Sequence, residues 1–234
     1  MRYYIADCHF FHAAMNDKMD KRGFTSGEAM NEYMITRWNE RVRTNDEVVI
    51  LGDFSIGKGA ETNEILKRLN GRLCLIEGNH DKFLNHRDFD RNRFVWIKPY
   101  DEMQDNRRKV ILSHYPVMCY NGQYRIDEHG QPKVYMLYGH VHDTQDERLI
   151  NRFQQMTRET LVTDYRGETR AIPCHMINCF CRFSDYTPLT LDEWILVDEA
   201  RRRKMAEETF REIAVSEDGE ETDTDSGADR EVTV

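Results

Sequence analysis

Short apolar strands alternate with helices over the first third of the chain, and this order constrains the fold more than any other feature. Each strand is a continuous apolar run, and each intervening segment has the periodicity of a helix. The predicted strands are residues 2–6, 47–51 and 72–77, and the predicted helices are residues 25–42 and 60–69. Continuous apolar strands joined by helices predict a largely parallel sheet covered on both faces.

The first of these helices has both a start signal and a buried face. The segment Thr25-Ser26-Gly27-Glu28 has the pattern of a capping box. Apolar side chains then follow at four-residue spacing, which places them on one side of the helix. They are Met30, Met34, Trp38 and Val42. We predict that this face belongs to the core.

After Phe94 the pattern changes to shorter strands, which favour antiparallel or mixed pairing and therefore a second sheet. These predicted strands are residues 95–97, 100–104, 109–112, 134–137 and 172–178. A polar stretch at 119–132 interrupts them, and its length favours a functional surface loop. Residues 192–213 are predicted to form a terminal helix whose basic cluster, 201–204, reads as a solvated face rather than a nucleic-acid patch.

The negative charge is concentrated at the end of the chain. The 234 residues carry a formal net charge of −9, and residues 215–234 contain eight acidic residues against Arg230. The tail therefore carries −7, and the rest of the chain carries −2. With almost no apolar residues to bury, the tail is predicted to be disordered and to serve solvation rather than recognition.

Cysteine usage and hydropathy indicate a cytoplasmic protein without a membrane partner. The six cysteines lack the spacing of a zinc ribbon and the density of a secreted disulfide scaffold, so we interpret them as reduced thiols. Cys179-Phe180-Cys181 leaves a metal or redox pair open, although alternation along a strand also explains it. No apolar run approaches the roughly 18 residues of a membrane span, and Asp7 precedes any signal-peptide core.

Metal-binding residue types follow five of the predicted strands. Active sites of open α/β sheets lie outside the carboxyl ends of the strands, so these segments are expected to converge. The segments are Asp7-Cys8-His9, Gly52-Asp53, Gly78-Asn79-His80-Asp81, His114 and Gly139-His140-Val141-His142. Cys8 alternates away from its neighbours and is expected to point into the protein.

The donor set has intermediate hardness. Asp, Asn and His suit Mn²⁺, Fe, Zn²⁺, Co²⁺ or Ni²⁺ better than Ca²⁺ or a thiolate-bound cluster. A lone His-x-His is commonly a surface coincidence, and Gly-Asp after a strand is an ordinary turn. The ordered set of five segments is what indicates a metal site.

In these five segments the chain resembles the calcineurin-like metallophosphoesterase superfamily, whose pattern is D-x-H, G-D, G-N-H-D/E, H and G-H-x-H. The resemblance covers residues 1–197, including the closing segment 185–191. It implies a four-layer αββα sandwich with two central mixed β-sheets. We therefore expect a metallophosphoesterase domain at 1–197, a C-terminal helix at 198–214 and a disordered acidic tail at 215–234.

The resemblance also implies two divalent metal ions, most simply Mn²⁺. One ion would be held by Asp7, His9, Asp53 and His142. The other would be held by Asp53, Asn79, His114 and His140. The shared carboxylate of Asp53 would reduce repulsion between two cations about 3.5–4 Å apart, and a hydroxide bridging them would attack phosphorus.

Residues beside the ligands have more open roles. His80 is expected to contact the phosphate or protonate the leaving oxygen, and Asp81 either orients His80 or caps the short helix after it. His12 lies close enough in sequence to the first motif to reach a substrate phosphate. In the 119–132 region and just before it, Tyr115 and Asn121 are expected to border the substrate pocket, although the aromatic residues there equally suit packing at its base.

The predicted function is hydrolysis of a phosphate ester, with monoesterase and diesterase activity both open. A nuclease for long duplexes would need a basic track, which the near-neutral body does not provide, so a nucleotide or another small phosphoester is favoured. Oligomeric state is left open. The alternative is a catalytically silent scaffold or ligand-binding protein of the same fold, although every expected ligand and His80 are retained.

Overall fold

The computed structural model describes residues 1–163, 166–171 and 173–220, with side chains as far as residue 205. Its strands are β1 (Arg2–Ile5), β2 (Glu47–Ile50), β3 (Arg72–Ile76), β4 (Phe94–Lys98), β5 (Tyr100–Asp105), β6 (Arg108–Ser113), β7 (Val134–Tyr138), β8 (Leu161–Thr163), β9 (Thr169–Ala171) and β10 (Met176–Asn178). Its α-helices are α1 (Gly27–Arg41), α2 (Gly59–Arg68), α3 (Gln145–Glu159) and α4 (Leu191–Glu220).

Two four-stranded sheets form the centre of the fold. The first has the order β1-β2-β3-β4 with parallel pairs, and an isolated antiparallel bridge joins Tyr4 to Leu189. The second has the order β10-β7-β6-β5, in which β5 is antiparallel to β6 and the other pairs are parallel. Strands β8 and β9 form a separate antiparallel hairpin.

Three apolar clusters show how the layers stack. Side chains alternate along β1, so Ile5 packs with Met34 and Trp38 of α1, whereas Tyr4 joins a cluster that contains Leu112 of the second sheet. The outer face of the second sheet packs against α3 through a third cluster. The order of layers is helix, sheet, sheet, helix, which confirms the predicted αββα sandwich.

The start of α1 lies one residue later than the predicted capping box. Ser26 is the N-cap, and its hydroxyl accepts a hydrogen bond from the Ala29 N–H at 3.1 Å. The predicted face is buried, with Met30, Met34 and Trp38 each at most 2% exposed. This face fixes α1 on the first sheet.

The boundary between the two sheets differs from the prediction. Strand β4 was assigned to the second sheet, but it pairs in parallel with β3, so the first sheet extends to Lys98. The predicted strand at 172–178 begins only at Met176, and residue 172 lies outside the described residues. Helix α3 and the β8–β9 hairpin were not predicted.

The chain divides into two units, Met1–Val197 and Asp198–Val234. Helix α4 is described as far as Glu220, past the predicted start of the acidic tail at 215, and the disorder of that tail stays a prediction. The remainder of that predicted tail, 221–234, lies outside the described residues. In the described part of the chain, no helix has the length and hydropathy to cross a membrane.

Candidate metal centre

The predicted ligands meet at the carboxyl ends of strands from both sheets. Strands β1, β2 and β3 lead into the turns with Asp7, Asp53 and Asn79, while β6 and β7 lead into His114 and His140. The parallel register places these strand ends side by side. Five segments therefore converge on one site, as predicted from the sequence.

The backbone at this site is strained. Five of the predicted ligands have left-handed φ angles, although none is glycine: Asp7 (56°), His9 (51°), Asp53 (51°), His140 (72°) and His142 (48°). Such conformations cost roughly 1–3 kcal/mol each and concentrate at functional sites. The fold therefore holds these side chains in place at a cost in stability.

One ligand cluster consists of Asp7, His9 and His142, whose donor atoms lie within 4.8 Å of one another. The Nε2 atoms of His9 and His142 are 3.1 Å apart, and Asp7 Oδ1 lies 3.8 Å from His142 Nε2. All three residues are buried, and the Asp7 carboxylate also accepts the backbone N–H of His140 at 2.9 Å. These donors face a common point.

A second cluster consists of Asp53, His114 and His140, whose donor atoms also lie within 4.8 Å of one another. Asn79 lies between the two imidazoles, because its Oδ1 is 2.9 Å from His114 Nε2 and 3.0 Å from His140 Nδ1. Asn79 was predicted as a ligand, and the structure places its oxygen within this cluster.

Asp53 lies between the two clusters. Its Oδ2 is 3.6 Å from His9 Nε2 and 3.5 Å from His114 Nε2, so one carboxylate oxygen faces an imidazole of each cluster. Its Oδ1 accepts the backbone N–H of His80 at 2.8 Å. Although burial opposes ionisation, the bond and charge of His114 lower the pKa of Asp53 to about 2. Asp53 is therefore an ionised carboxylate in the position predicted for the bridge.

The tautomers at these sites fit bound cations. His114 Nδ1 donates to the carbonyl of Leu51 at 2.8 Å, which turns Nε2 toward the Asn79 oxygen. If the His114 ring is neutral, the lone pair of its Nε2 faces the Asn79 oxygen, and the two repel each other. A proton or a metal cation between these two atoms removes the repulsion. Burial lowers the pKa of His114, but the bond with Asp53 and the carboxylate charges raise it to about 9. The site thus favours positive charge at this point.

The first cluster fits a cation for a related reason. His142 Nδ1 is 2.7 Å from Asp20 Oδ1, so its Nε2 faces His9 Nε2. Burial lowers the pKa of His9 to about 2, which leaves it neutral, and its buried Nδ1 has no hydrogen-bond partner. Buried polar atoms without partners are rare and call for an explanation. A divalent ion bound by this donor set would resolve the close contact of the two Nε2 atoms, whereas the unpartnered Nδ1 of His9 lies on the other side of its ring.

Three residues that were predicted to contact the substrate lie beside these clusters. The His80 ring is 5.5 Å from the His9 ring, and the His12 ring is 5.8 Å from it. Tyr115 packs edge-on against His140 with ring centroids 4.5 Å apart, and its side chain is 48% exposed. His80 and His12 therefore lie beside an imidazole of the first candidate cluster, and Tyr115 lies beside one of the second.

Asn121 has a different position from the one predicted. Its amide donates to the carboxylate of Glu102 at 3.1 Å, and Glu102 lies on β5, the edge strand of the second sheet, opposite Ile111. Among the described contacts, none joins Asn121 to the clusters. The structure therefore does not bring Asn121 to the predicted pocket border.

Asp81 has neither of its two predicted roles. Its carboxylate accepts the backbone N–H groups of Gly78, Asp53 and Phe54 at 2.8, 3.0 and 2.7 Å. It makes no cap bond to the short helix that follows. The carboxylate is engaged by backbone rather than by the His80 ring, so Asp81 holds together the turns after β2 and β3. Burial raises the pKa of Asp81 to about 7 against these bonds.

Two residues of the site were missed from the sequence. Asp20 bonds His142, and the buried guanidinium of Arg22 donates to the carbonyls of Asp7 and Cys8 at 3.0 and 2.7 Å. Both lie in the connection between β1 and α1, whose length is unusual for an α/β unit. That length was a signal of function, although it does not single out these two residues.

Comparison with known proteins decides the family. The model of the calcineurin-like phosphoesterase superfamily domain matches residues 4–161, which is more than half of the chain. The chain belongs to this superfamily. Both the family predicted from the five motifs and the fold class are thereby confirmed. Membership and the two candidate clusters support a metal-dependent phosphoesterase in general.

Two curated proteins are similar to this chain over part of its length. The chain is 45% identical over 83 residues to the uncharacterized protein MJ1445 of Methanocaldococcus jannaschii, a match spanning 35% of this chain and 47% of that protein. It is 29% identical over 161 residues to the Gene 66 protein of Mycobacterium phage D29, covering 60% and 77%. The chain thus spans about half the length of the archaeal relative.

A solved structure shares the fold. The protein of unknown function AQ665 from Aquifex aeolicus superposes with a TM-score of 0.57 at 23% identity, covering 82% of this chain and 96% of that one. At this identity the likeness concerns the fold alone.

Proposed function

We propose that this superfamily member is a two-metal phosphoesterase that hydrolyses a nucleotide or another small phosphoester. The observation that carries the proposal is the position of Asp53, whose Oδ2 lies 3.6 Å from His9 Nε2 and 3.5 Å from His114 Nε2. A carboxylate between two ligand clusters is the arrangement that holds two cations close together.

Each cluster would hold one divalent ion. The first ion would be bound by Asp7, His9 and His142, and the second by Asn79, His114 and His140, with Asp53 common to both. When bound, the ions activate water as a nucleophile and neutralise charge on the phosphoryl oxygens. The oxygen and nitrogen donors favour Mn²⁺, with Fe, Zn²⁺, Co²⁺ and Ni²⁺ as substitutes.

The chain's own residues would orient the substrate and move a proton. The His80 backbone is fixed by its bond to Asp53, while its exposed ring has no hydrogen-bond partner in the described residues. That ring is therefore available to contact the phosphate and protonate the leaving oxygen. His12 and the exposed Tyr115 border the same opening and would contact the rest of the substrate.

The proposal extends to the compartment and to the partners. The six cysteines are free thiols, five of them buried, which suits a cytoplasmic protein. A small phosphoester is proposed because the body carries little net charge, whereas a long duplex calls for a basic track. The proposed partners do not include a membrane.

The experiment that tests this function is hydrolysis of bis-p-nitrophenyl phosphate and p-nitrophenyl phosphate by the full chain loaded with Mn²⁺. We expect turnover that stops with a chelator and falls by several orders of magnitude in Asp53→Asn. The preferred substrate of the two separates a diesterase from a monoesterase. A protein that binds two metals but hydrolyses neither substrate with any divalent ion would instead be the silent scaffold.

A further inference from the structure

The loop between β1 and α1 contains a buried ion pair behind the first metal cluster. Asp20 and Arg22 are joined by two hydrogen bonds, from Nε at 3.0 Å and from Nη2 at 2.9 Å, both to Asp20 Oδ2. Their side chains are 7% and 0% exposed. Buried charges are costly, so a pair in a loop requires a further use.

Asp20 has its second oxygen on the metal side. Oδ1 lies 2.7 Å from His142 Nδ1, so each carboxylate oxygen has a separate partner. A carboxylate can accept a hydrogen bond but cannot donate one, so the Nδ1 of His142 carries the proton. The lone pair of a neutral His142 is then on Nε2, the atom that faces His9 Nε2 and Asp7 Oδ1.

Arg22 extends the contact to the opposite side of the cluster. Its Nη2 donates to the carbonyl of Asp7, and its Nη1 donates to the carbonyl of Cys8. Asp7 carries one of the ligand carboxylates, and Cys8 directly precedes the ligand His9. The backbone of Asp7 is left-handed, so the hydrogen bonds from Arg22 to the carbonyls of Asp7 and Cys8 help to hold a strained turn.

The ring of His142 is also held on its face. Phe180 stacks on it with centroids 4.6 Å apart and an angle of 18°, while the Arg22 guanidinium lies 5.9 Å from the Phe180 ring. Arg182 donates to the backbone carbonyl of Asp20 from the segment after β10. His142 is thus oriented by a bond at one nitrogen and by packing on one face.

We infer that Asp20 and Arg22 are positioning residues that join the turn after β1 to the turn after β7 and hold the first metal cluster in its binding geometry. The pair sets the tautomer of His142 and the backbone of Asp7 and Cys8 without binding the metal. This inference rests on the proposed two-metal function. We therefore expect Asp20 and Arg22 to affect the binding of the first metal ion and not that of the second.

The test measures Mn²⁺ and Zn²⁺ binding by calorimetry to the full chain and to Asp20→Ala, Asp20→Asn and Arg22→Lys. Removing a carboxylate partner of a metal-binding histidine weakens binding by about 10–100-fold, so Asp20→Ala should lose that affinity at one site and keep the other. Asp20→Asn keeps an acceptor for Nδ1 and should recover most of the loss. The control is Asp17→Asn, an exposed carboxylate of the same loop.

A second readout is the His142 tautomer in the metal-free protein, followed by nitrogen-15 NMR, because a metal on Nε2 would itself leave the proton on Nδ1. Protonated Nδ1 is expected in the wild type and in Asp20→Asn. Equal loss at both sites together with a lower melting temperature would make the pair a general support of the fold and overturn the inference. So would unchanged affinity in Asp20→Ala. A wild type that binds no metal would instead refute the proposed function.

Discussion

At the scale of single residues, Gly78 shows how closely the turns at the centre approach each other. A Cβ at this position would lie 2.2 Å from the backbone nitrogen of Asp53 and 2.4 Å from its Oδ1. Backbone contacts at that distance have no room to relax, so the turn after β3 requires glycine. The presence of glycine here therefore reflects the position of Asp53.

We predict that Gly78→Ala lowers the free energy of unfolding by about 1–3 kcal/mol and displaces Asp53 enough to weaken metal binding. Urea unfolding and calorimetric metal titration measure the two effects. Gly27→Ala is the matched control, since the atoms nearest to its Cβ belong to Ala13 and the closest is at an ordinary 3.4 Å. Metal affinity in Gly78→Ala equal to that of the control would contradict this role.

Asp81 leads to a second prediction at this scale. Its carboxylate satisfies three backbone N–H groups, and an unpaired buried group costs about 1–3 kcal/mol. Asp81→Ala should therefore lower the free energy of unfolding by at least about 3 kcal/mol in denaturant titration. Asp81→Asn keeps one carbonyl oxygen and should lose less. Similar losses in the two variants would mean that the three bonds do not hold the turns.

At the scale of elements, the start of α4 provides a pH-dependent test. Glu193 Oε2 accepts the N–H and the hydroxyl of Thr190, each at 2.9 Å, and Arg41 donates to Oε1. Although burial opposes ionisation, these bonds and the charge of Arg41 lower the pKa of Glu193. A carboxyl group whose pKa is lower in the folded protein than in the unfolded chain stabilises the fold at pH values above the unfolded pKa. That stability is lost as the pH falls through the pKa of the folded protein.

Glu193→Gln should therefore lower the melting temperature by about 1–2 °C at pH 7, a small change because the pair is partly solvated. The difference from wild type should shrink as pH falls below about 4.5, where the unfolded carboxyl also protonates. Calorimetric melting at pH 3, 5 and 7 measures it. A difference that grows toward acid pH would mean that the sign of this linkage is wrong.

The elements that were predicted correctly are those with a local signal. Strands β1, β2 and β3 are apolar runs whose buried faces need no partner information, and Ser26 lies one residue from the predicted cap. Strand β4 was placed in the wrong sheet because a short run does not encode which strand it pairs with. The start of α3 has the sequence pattern of a capping box, with Thr144 as the N-cap and Glu147 three residues later. Glu147 does not complete that box, because it is buried and accepts a hydrogen bond from the Tyr138 hydroxyl.

In the candidate site, too, the residues with a local sequence signal were predicted and those that depend on tertiary contacts were not. Ligands that follow strands were predictable because parallel strand ends meet. Asp20 lies 122 residues from His142 in sequence, and their bond depends on a tertiary contact that neither residue type indicates. Asp81 carries a family motif, yet its role as an acceptor of backbone N–H groups became apparent only from the geometry.

At the scale of the whole molecule, every predicted ligand lies in the unit Met1–Val197. Trp194, which is completely buried, also belongs to it. We predict that a chain ending at Val197 keeps its metal affinity and melts within a few degrees of the full chain. Calorimetry of both chains measures this. Loss of metal binding on truncation would show that the later residues support the site.

The proposed metal site around Asp53 holds two ions in one chain. Its most direct test is the number of Mn²⁺ ions bound per chain, measured by elemental analysis after dialysis of the wild type and Asp53→Asn. We expect two ions in the wild type and fewer in the variant, because Asp53 faces an imidazole of each cluster. A wild type that holds one ion or none, or an Asp53→Asn variant that still holds two, would contradict it.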